Sequence, residues 1–182
     1  MVMQILIKST VLAIAATAAN IPARSTDTPD GFRLWANMTY PNLPPEFGPN
    51  VQGQELSYVS NTECLADVIL VPAGHGSIFR TNGDTVGVAH LGDDSSPSAG
   101  MIITPGGTAS VPTDNTVELK YSAGTPGVFL TADGLQYPKE GGPKGAGGFM
   151  ACKRENALVL SFLRWGQRPL IGCTVVQLLP IY

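Results

Sequence analysis

The sequence predicts an all-β protein: one domain, built as a sandwich or closed barrel of about ten short antiparallel strands. Three observations predict it. From Phe32 onward apolar and polar residues alternate with period two, the repeat of a strand with one buried face. Turn residues interrupt that alternation about every 8–12 residues. Finally, 21 glycines and 15 prolines in 182 residues are far above average usage, and inside a helix each Pro costs ~3 and each Gly ~1 kcal/mol.

The elements follow in order. Phe32, Leu34, Ala36 and Met38 alternate with Arg33, Trp35 and Asn37, which predicts a strand with the first set inward. Four prolines between Tyr40 and Pro49 make the next segment a loop. Gln54 to Val59 and Cys64 to Val71 read as strands; Val68 to Val71 is continuously apolar, as a central strand covered on both faces would be. Ile78 to Arg80 and Val86 to Leu91 form a hairpin about Asn82-Gly83, whose residues tolerate the positive φ of a tight turn. Met101 to Thr104, Val117 to Tyr121, Val128 to Thr131, Phe149 to Cys152 and Cys173 to Leu179 are further strands. Ala157 to Trp165 is long enough for a short helix, but its Val-Leu-Ser-Phe-Leu core favours a strand.

Upstream, Lys8 precedes an apolar run of small residues from Ser9 to Ala19. Ala16-Thr17-Ala18 matches the small-residue pattern that signal peptidase accepts. Residues 1–19 are therefore expected to be a cleaved signal peptide, 20–31 a flexible mature N-terminus and 32–182 the β-rich domain. The run is too short for a membrane span, which needs ~20 apolar residues, and no later segment approaches that length.

Charge and motifs exclude several functions. The net charge is −3, the basic residues are scattered, and no nucleic-acid footprint exists. There is no nucleophile elbow, no zinc-protease helix and no phosphate loop: the glycine-rich stretch around Lys144 lacks the spacing and the Ser/Thr that a phosphate cradle needs. No cofactor and no metal are expected. Two histidines are the weak catalytic candidates. His75 lies in a Gly-rich turn, and His90 precedes Asp93 and Asp94, carboxylates that could orient an imidazole titrating near neutral pH.

Covalent chemistry is more informative. Export would expose Cys64, Cys152 and Cys173 to an oxidising compartment. Cys152 and Cys173 flank two late strands, and bridging them would close a loop of roughly twenty residues, stabilising by ~3 kcal/mol. Cys64, just before an apolar strand, is expected to be an inert buried thiol. Asn37-Met38-Thr39 is a glycosylation sequon, and the alternation turns Asn37 outward. Trp35 shares that face and is a candidate for stacking on a sugar. Tyr40, Tyr58, Tyr137 and Trp165 are the other aromatics considered for such a platform.

Several segments, in order, resemble a family of small secreted fungal proteins catalogued only as a domain of unknown function. They are the sequon strand, Phe79-Arg80-Thr81-Asn82-Gly83, Gly100-Met101-Ile102-Ile103, Gly124-Thr125-Pro126-Gly127, Gly148-Phe149-Met150-Ala151-Cys152, and Gly172-Cys173 through Leu179-Pro180. The resemblance implies a fungal extracellular protein and supports the Cys152–Cys173 pairing. Members often end in a cysteine just after Leu-Leu-Pro, where this chain has Ile181-Tyr182. Some relatives carry an IgE-binding label, which describes a host's antibody response; the resemblance brings no catalytic residues. Three readings stand: a non-enzymatic secreted protein binding a glycan, a surface or a host protein; a small hydrolase using His75 or His90 with Asp93 or Asp94; and a structural, cell-wall-associated glycoprotein.

Overall fold

A computed structural model describes residues 31–42, 44–92, 96–142 and 148–182. The expected leader, Asp93, Asp94 and Lys144 lie outside the described residues. The first strands are β1 (Arg33–Met38), β2 (Glu55–Thr62), β3 (Leu65–Val71), β4 (Arg80–Asn82), β5 (Thr85–Val88) and β6 (Ala99–Ile102). They are followed by β7 (Asn115–Thr116), β8 (Glu118–Lys120), β9 (Phe129–Thr131) and β10 (Gly134–Gln136). After the short helix α1 (Pro138–Gly141) come β11 (Gly148–Lys153), β12 (Leu158–Leu163) and β13 (Cys173–Ile181). The domain is all-β, and the Ala157–Trp165 segment is a strand.

Eleven strands form one antiparallel sheet in the order β4-β5-β6-β8-β3-β2-β1-β13-β11-β12-β7, while β9 and β10 make a separate ribbon. An additional β3–β12 pairing, Leu158 opposite Leu70 and Val159 opposite Ile69, brings the sheet back on itself. The segment from Asn115 to Lys120 explains how one edge of β3 serves two neighbours. Its first two residues pair with β12 and its last three with β3. Between them, the Val117 amide donates to Leu160 and its carbonyl accepts from Val68, at 2.8 and 2.9 Å. Val117 is wholly buried, so an apolar side chain sits at the fork where the sheet divides.

The alternation in β1 is realised residue by residue: Phe32, Leu34, Ala36 and Met38 are buried, while the intervening residues are half-exposed. They join one core with Leu56, Val68, Leu119, Leu160, Phe162 and Leu178, among others. Burying each such aliphatic side chain contributes about 1.5–3 kcal/mol. Phe162 packs against Phe149 edge-on at 5.8 Å and against Tyr137 at 5.6 Å. On the other face of β11 and β12, Met150, Cys152, Val159, Leu163 and Cys173 form a second cluster, against which Ile69 and Leu170 pack. Ile69 is thus the outward residue of Val68–Val71 that gains a cover, as the continuous apolar run required.

The β4–β5 hairpin differs from expectation by one position. Asn82 pairs with Thr85, so the connection is Gly83-Asp84 and Asn82 is a strand residue. Gly83 takes φ 62°, and the Thr85 hydroxyl donates to the Asn82 carbonyl at 2.9 Å. Register follows the need to bury Val86 and Val88 in the core; a one-residue slip would turn both outward.

Candidate functional site

The sequence-selected residues lie in different surroundings. His75 sits exposed in the turn after β3, its amide donating to Pro72. That turn covers the outer face of β2, where the Gly76 amide donates to Glu55 at 3.0 Å and Ser77 meets Ser57 at 2.8 Å. Glu55 is buried and paired with Arg33 at 3.0 Å. Burial by itself would raise the Glu55 carboxyl, but hydrogen bonds from Gly74 and Gly76 and the Arg33 charge outweigh it and hold the group below its ordinary value. His75 therefore belongs to a loop whose polar anchoring is done by Glu55.

His90 follows β5 and is exposed. Its Nδ1 lies 2.8 Å from the Ser96 carbonyl; a carbonyl only accepts, so Nδ1 donates to it. The Tyr58 hydroxyl donates to the His90 carbonyl at 3.2 Å. A cleft of about 380 Å3 opens here, with Arg80, Asn82, His90, Ser98 and Ser122 on its walls. Gly87 and Gly100, cross-strand partners in β5 and β6, belong to its floor. A Cβ on Gly100 would lie 2.3 Å from the Gly124 nitrogen, so glycine is what lets the 122–124 segment close over this sheet.

A second cleft, about 290 Å3, lies around Trp165. One wall comes from α1, whose first turn suits the fixed φ of Pro138. The next residues, Lys139 and Glu140, line the cleft, together with Thr108, Gly142 and Arg164. The Trp165 amide donates to the Glu140 carbonyl at 2.8 Å, and Arg164 pairs with the Glu140 carboxylate at 2.9 Å. Gly142, at φ 73°, lies against the indole: a Cβ there would come within 2.6 Å of Trp165 Cγ and Cδ2. Trp165 nonetheless remains 55% exposed. Trp35, by contrast, is half-buried between Glu55 of β2 and Leu179 of β13.

Beneath the second cleft Gln167 is buried, its amide nitrogen donating to the Thr113 carbonyl at 2.8 Å. Gln167 Oε1 and Thr113 Oγ1 are buried without a hydrogen-bond partner. The Gln167 oxygen rests where a Gly107 side chain would begin, 1.9 Å from an ideal Cβ.

Cys152 and Cys173 are directly opposite each other in β11 and β13, with Cα atoms 4.1 Å apart, and form a disulfide. Asp114 lies beside them, accepting a short hydrogen bond from buried Ser161 and pairing with Arg154 at 2.5 Å. These three are the one set of potential metal ligands clustered among the described residues, and the bridge removes the two thiolates that such a site requires. Cys64 corrects an expectation: it is a free, exposed thiol in the turn joining β2 to β3, one position before the strand whose packing would have buried it. Asn37 is half-exposed on the outer face, its oxygen accepting from Gln52 at 3.2 Å, and Thr39 is exposed.

A family match spans residues 29–182. The chain belongs to DUF7907, a family described as a domain of unknown function. No curated protein and no solved structure matches it. The DUF7907 match includes all thirteen strands and both clefts, so neither cleft sits on a segment appended to the family's domain. Of the second cleft's residues only Trp165 stood out in the sequence, as one aromatic among five. Pro138 followed by charged residues is a local helix-start signal that could have found α1, but nothing local indicates that it meets Trp165.

Proposed function

We propose that this DUF7907 chain is a secreted extracellular protein of a fungus that acts by binding, with a glycan or a host protein as its partner. The observation that carries the reading is the buried Cys152–Cys173 bridge, since such bonds form and persist in oxidising compartments. The A-x-A leader pattern and the sequon at Asn37 support the same compartment. No helix among the described residues is long and apolar enough to cross a membrane, and the net charge of −3 offers no polyanion footprint.

The test is the intact mass of protein recovered from the medium of a eukaryotic secretory host, with and without N-glycan removal and thiol alkylation. A chain starting near Ala19 or Asn20, carrying one glycan and alkylating only at Cys64, is expected. Full-length protein retained in cells with three reactive thiols would overturn the reading.

One observation favours the hydrolase alternative: His90 shares the larger cleft with Ser98 and Ser122. Hydrolytic activity lost in His90→Ala, and unaffected in His75→Ala, would establish that alternative. A wall-associated glycoprotein is the remaining reading, and protein found wholly free in the medium would count against it.

A further inference from the structure

We infer that the Trp165 cleft is the subsite for one neutral pyranose ring of a saccharide. The inference deepens the binding reading above and rests on it. A pyranose presents an apolar face of axial C–H groups and a rim of hydroxyls, so its recognition needs a flat aromatic surface and hydrogen-bonding groups that both donate and accept. The cleft has both. Trp165 is the more exposed of the two tryptophans and the one that lines a cleft.

Its indole is also held in place. Backbone of Gly142 lies against it, its amide is tied to Glu140, and the turn beyond is closed by the Gln167 amide donating to Arg164 at 3.0 Å. A rigid aromatic loses little conformational freedom when a ring stacks on it.

The polar rim offers hydroxyls both donors and acceptors. Arg164 and Glu140 compensate each other at 2.9 Å, leaving guanidinium N–H donors and carboxylate lone pairs to face the same small space. Lys139 adds one further donor. At about 290 Å3 the cleft lies at the bottom of the roughly 300–1,000 Å3 range of drug-sized sites, room for a single ring with the rest of a chain outside.

A second, independent observation lies underneath. Gln167 is 7% exposed, and its Oε1 and the Thr113 hydroxyl have no partner. A buried acceptor left unsatisfied costs about 1–3 kcal/mol. Gly107 lines the cleft, and the Gln167 oxygen packs against it, 1.9 Å from where a Cβ on Gly107 would stand. A hydroxyl entering at Gly107 is the O–H donor that this oxygen lacks.

The experiment uses the secreted protein labelled with 15N. Its two tryptophans give two indole N–H signals, assigned with Trp35→Phe and Trp165→Ala. The probes are glucose-, mannose- and N-acetylglucosamine-based oligosaccharides, with an oligogalacturonate as the acidic arm. A neutral oligosaccharide is expected to shift the Trp165 indole signal and leave that of Trp35 in place. Trp165→Ala should weaken binding about tenfold, and Glu140→Gln should weaken it while keeping the fold, as the unshifted Trp35 signal would report.

Three results overturn the inference: no shift with any neutral probe, a shift with the acidic probe alone, or saccharide binding that survives Trp165→Ala. In the last case the protein is still a glycan binder through another surface, so the broader reading stands while this subsite falls.

Discussion

Breaking the Cys152–Cys173 bridge measures how much of this domain's stability is covalent. The bridge joins residues 21 apart in sequence. Closing a loop of that length in the unfolded chain gives about 3 kcal/mol of stabilisation by the chain-entropy relation. For a domain of this size each kcal/mol moves the melting temperature by about 2–4 °C, so loss of the bridge should lower it by roughly 6–12 °C. Both cysteines are buried, at 2% and 6% exposure, so a reductant acts mainly on molecules that have opened. The assay is therefore equilibrium denaturation of oxidised and reduced wild type, which compares identical side chains in an identical cluster with Met150, Val159 and Leu163. Cys64→Ser is the control; that thiol is exposed and unbridged, and its loss should change stability by less than about 0.5 kcal/mol. A difference below about 1 kcal/mol between oxidised and reduced protein would refute the reasoning. It would mean that the β11–β13 pairing persists in the denatured chain and already keeps the two cysteines close.

Glu55 sets a pH dependence. Its carboxyl is held below its ordinary value when folded, so its contribution is fully present above the unfolded carboxylate range and is lost as pH falls through the lowered folded value. Denaturation across acidic pH should show Glu55→Gln with a shallower loss of stability than wild type, and equal slopes would contradict the assignment. Gly100→Ala should cost about 1–3 kcal/mol, because its Cβ would meet the Gly124 backbone at 2.3 and 2.5 Å and the 122–124 segment must move; thermal unfolding reads this directly. Phe162→Ala, emptying the space between Phe149 and Tyr137, should cost about 3–5 kcal/mol in chemical denaturation. Asn37→Gln should abolish the mass difference that N-glycan removal produces in protein from a eukaryotic host.

Much of the fold was legible because its signals are local. The four inward residues of β1 could be read from the alternation between Phe32 and Met38, and the strand character of Leu158–Leu163 from its branched and aromatic content. Where local signals compete with packing, packing prevails. Asn82-Gly83 is a strong turn dipeptide, yet burying Val86 and Val88 places the turn at Gly83-Asp84. Cys64 shows the same limit, since proximity in sequence to an apolar strand does not bury a residue that falls in the turn before it. The candidate site was less legible still. Trp35 and Trp165 differ little in their flanking residues, and what separates them is cover from other strands: Trp35 lies between β2 and β13, whereas Trp165 lies two positions past the end of β12.

The sequence by itself determined an all-β chain, which residues of β1 face inward, and two cysteines placed to bridge. Alternation, turn chemistry and cysteine spacing act over a few residues, or through one covalent bond, and need no knowledge of distant partners. Only the tertiary structure decided that Arg33 lies opposite Ile181, that Val117 forks the sheet between β3 and β12, and that Thr108, Glu140 and Trp165 surround one cleft. These neighbours are brought together by burial of the shared core, a non-directional force summed over the whole chain, and no short stretch of sequence encodes its outcome.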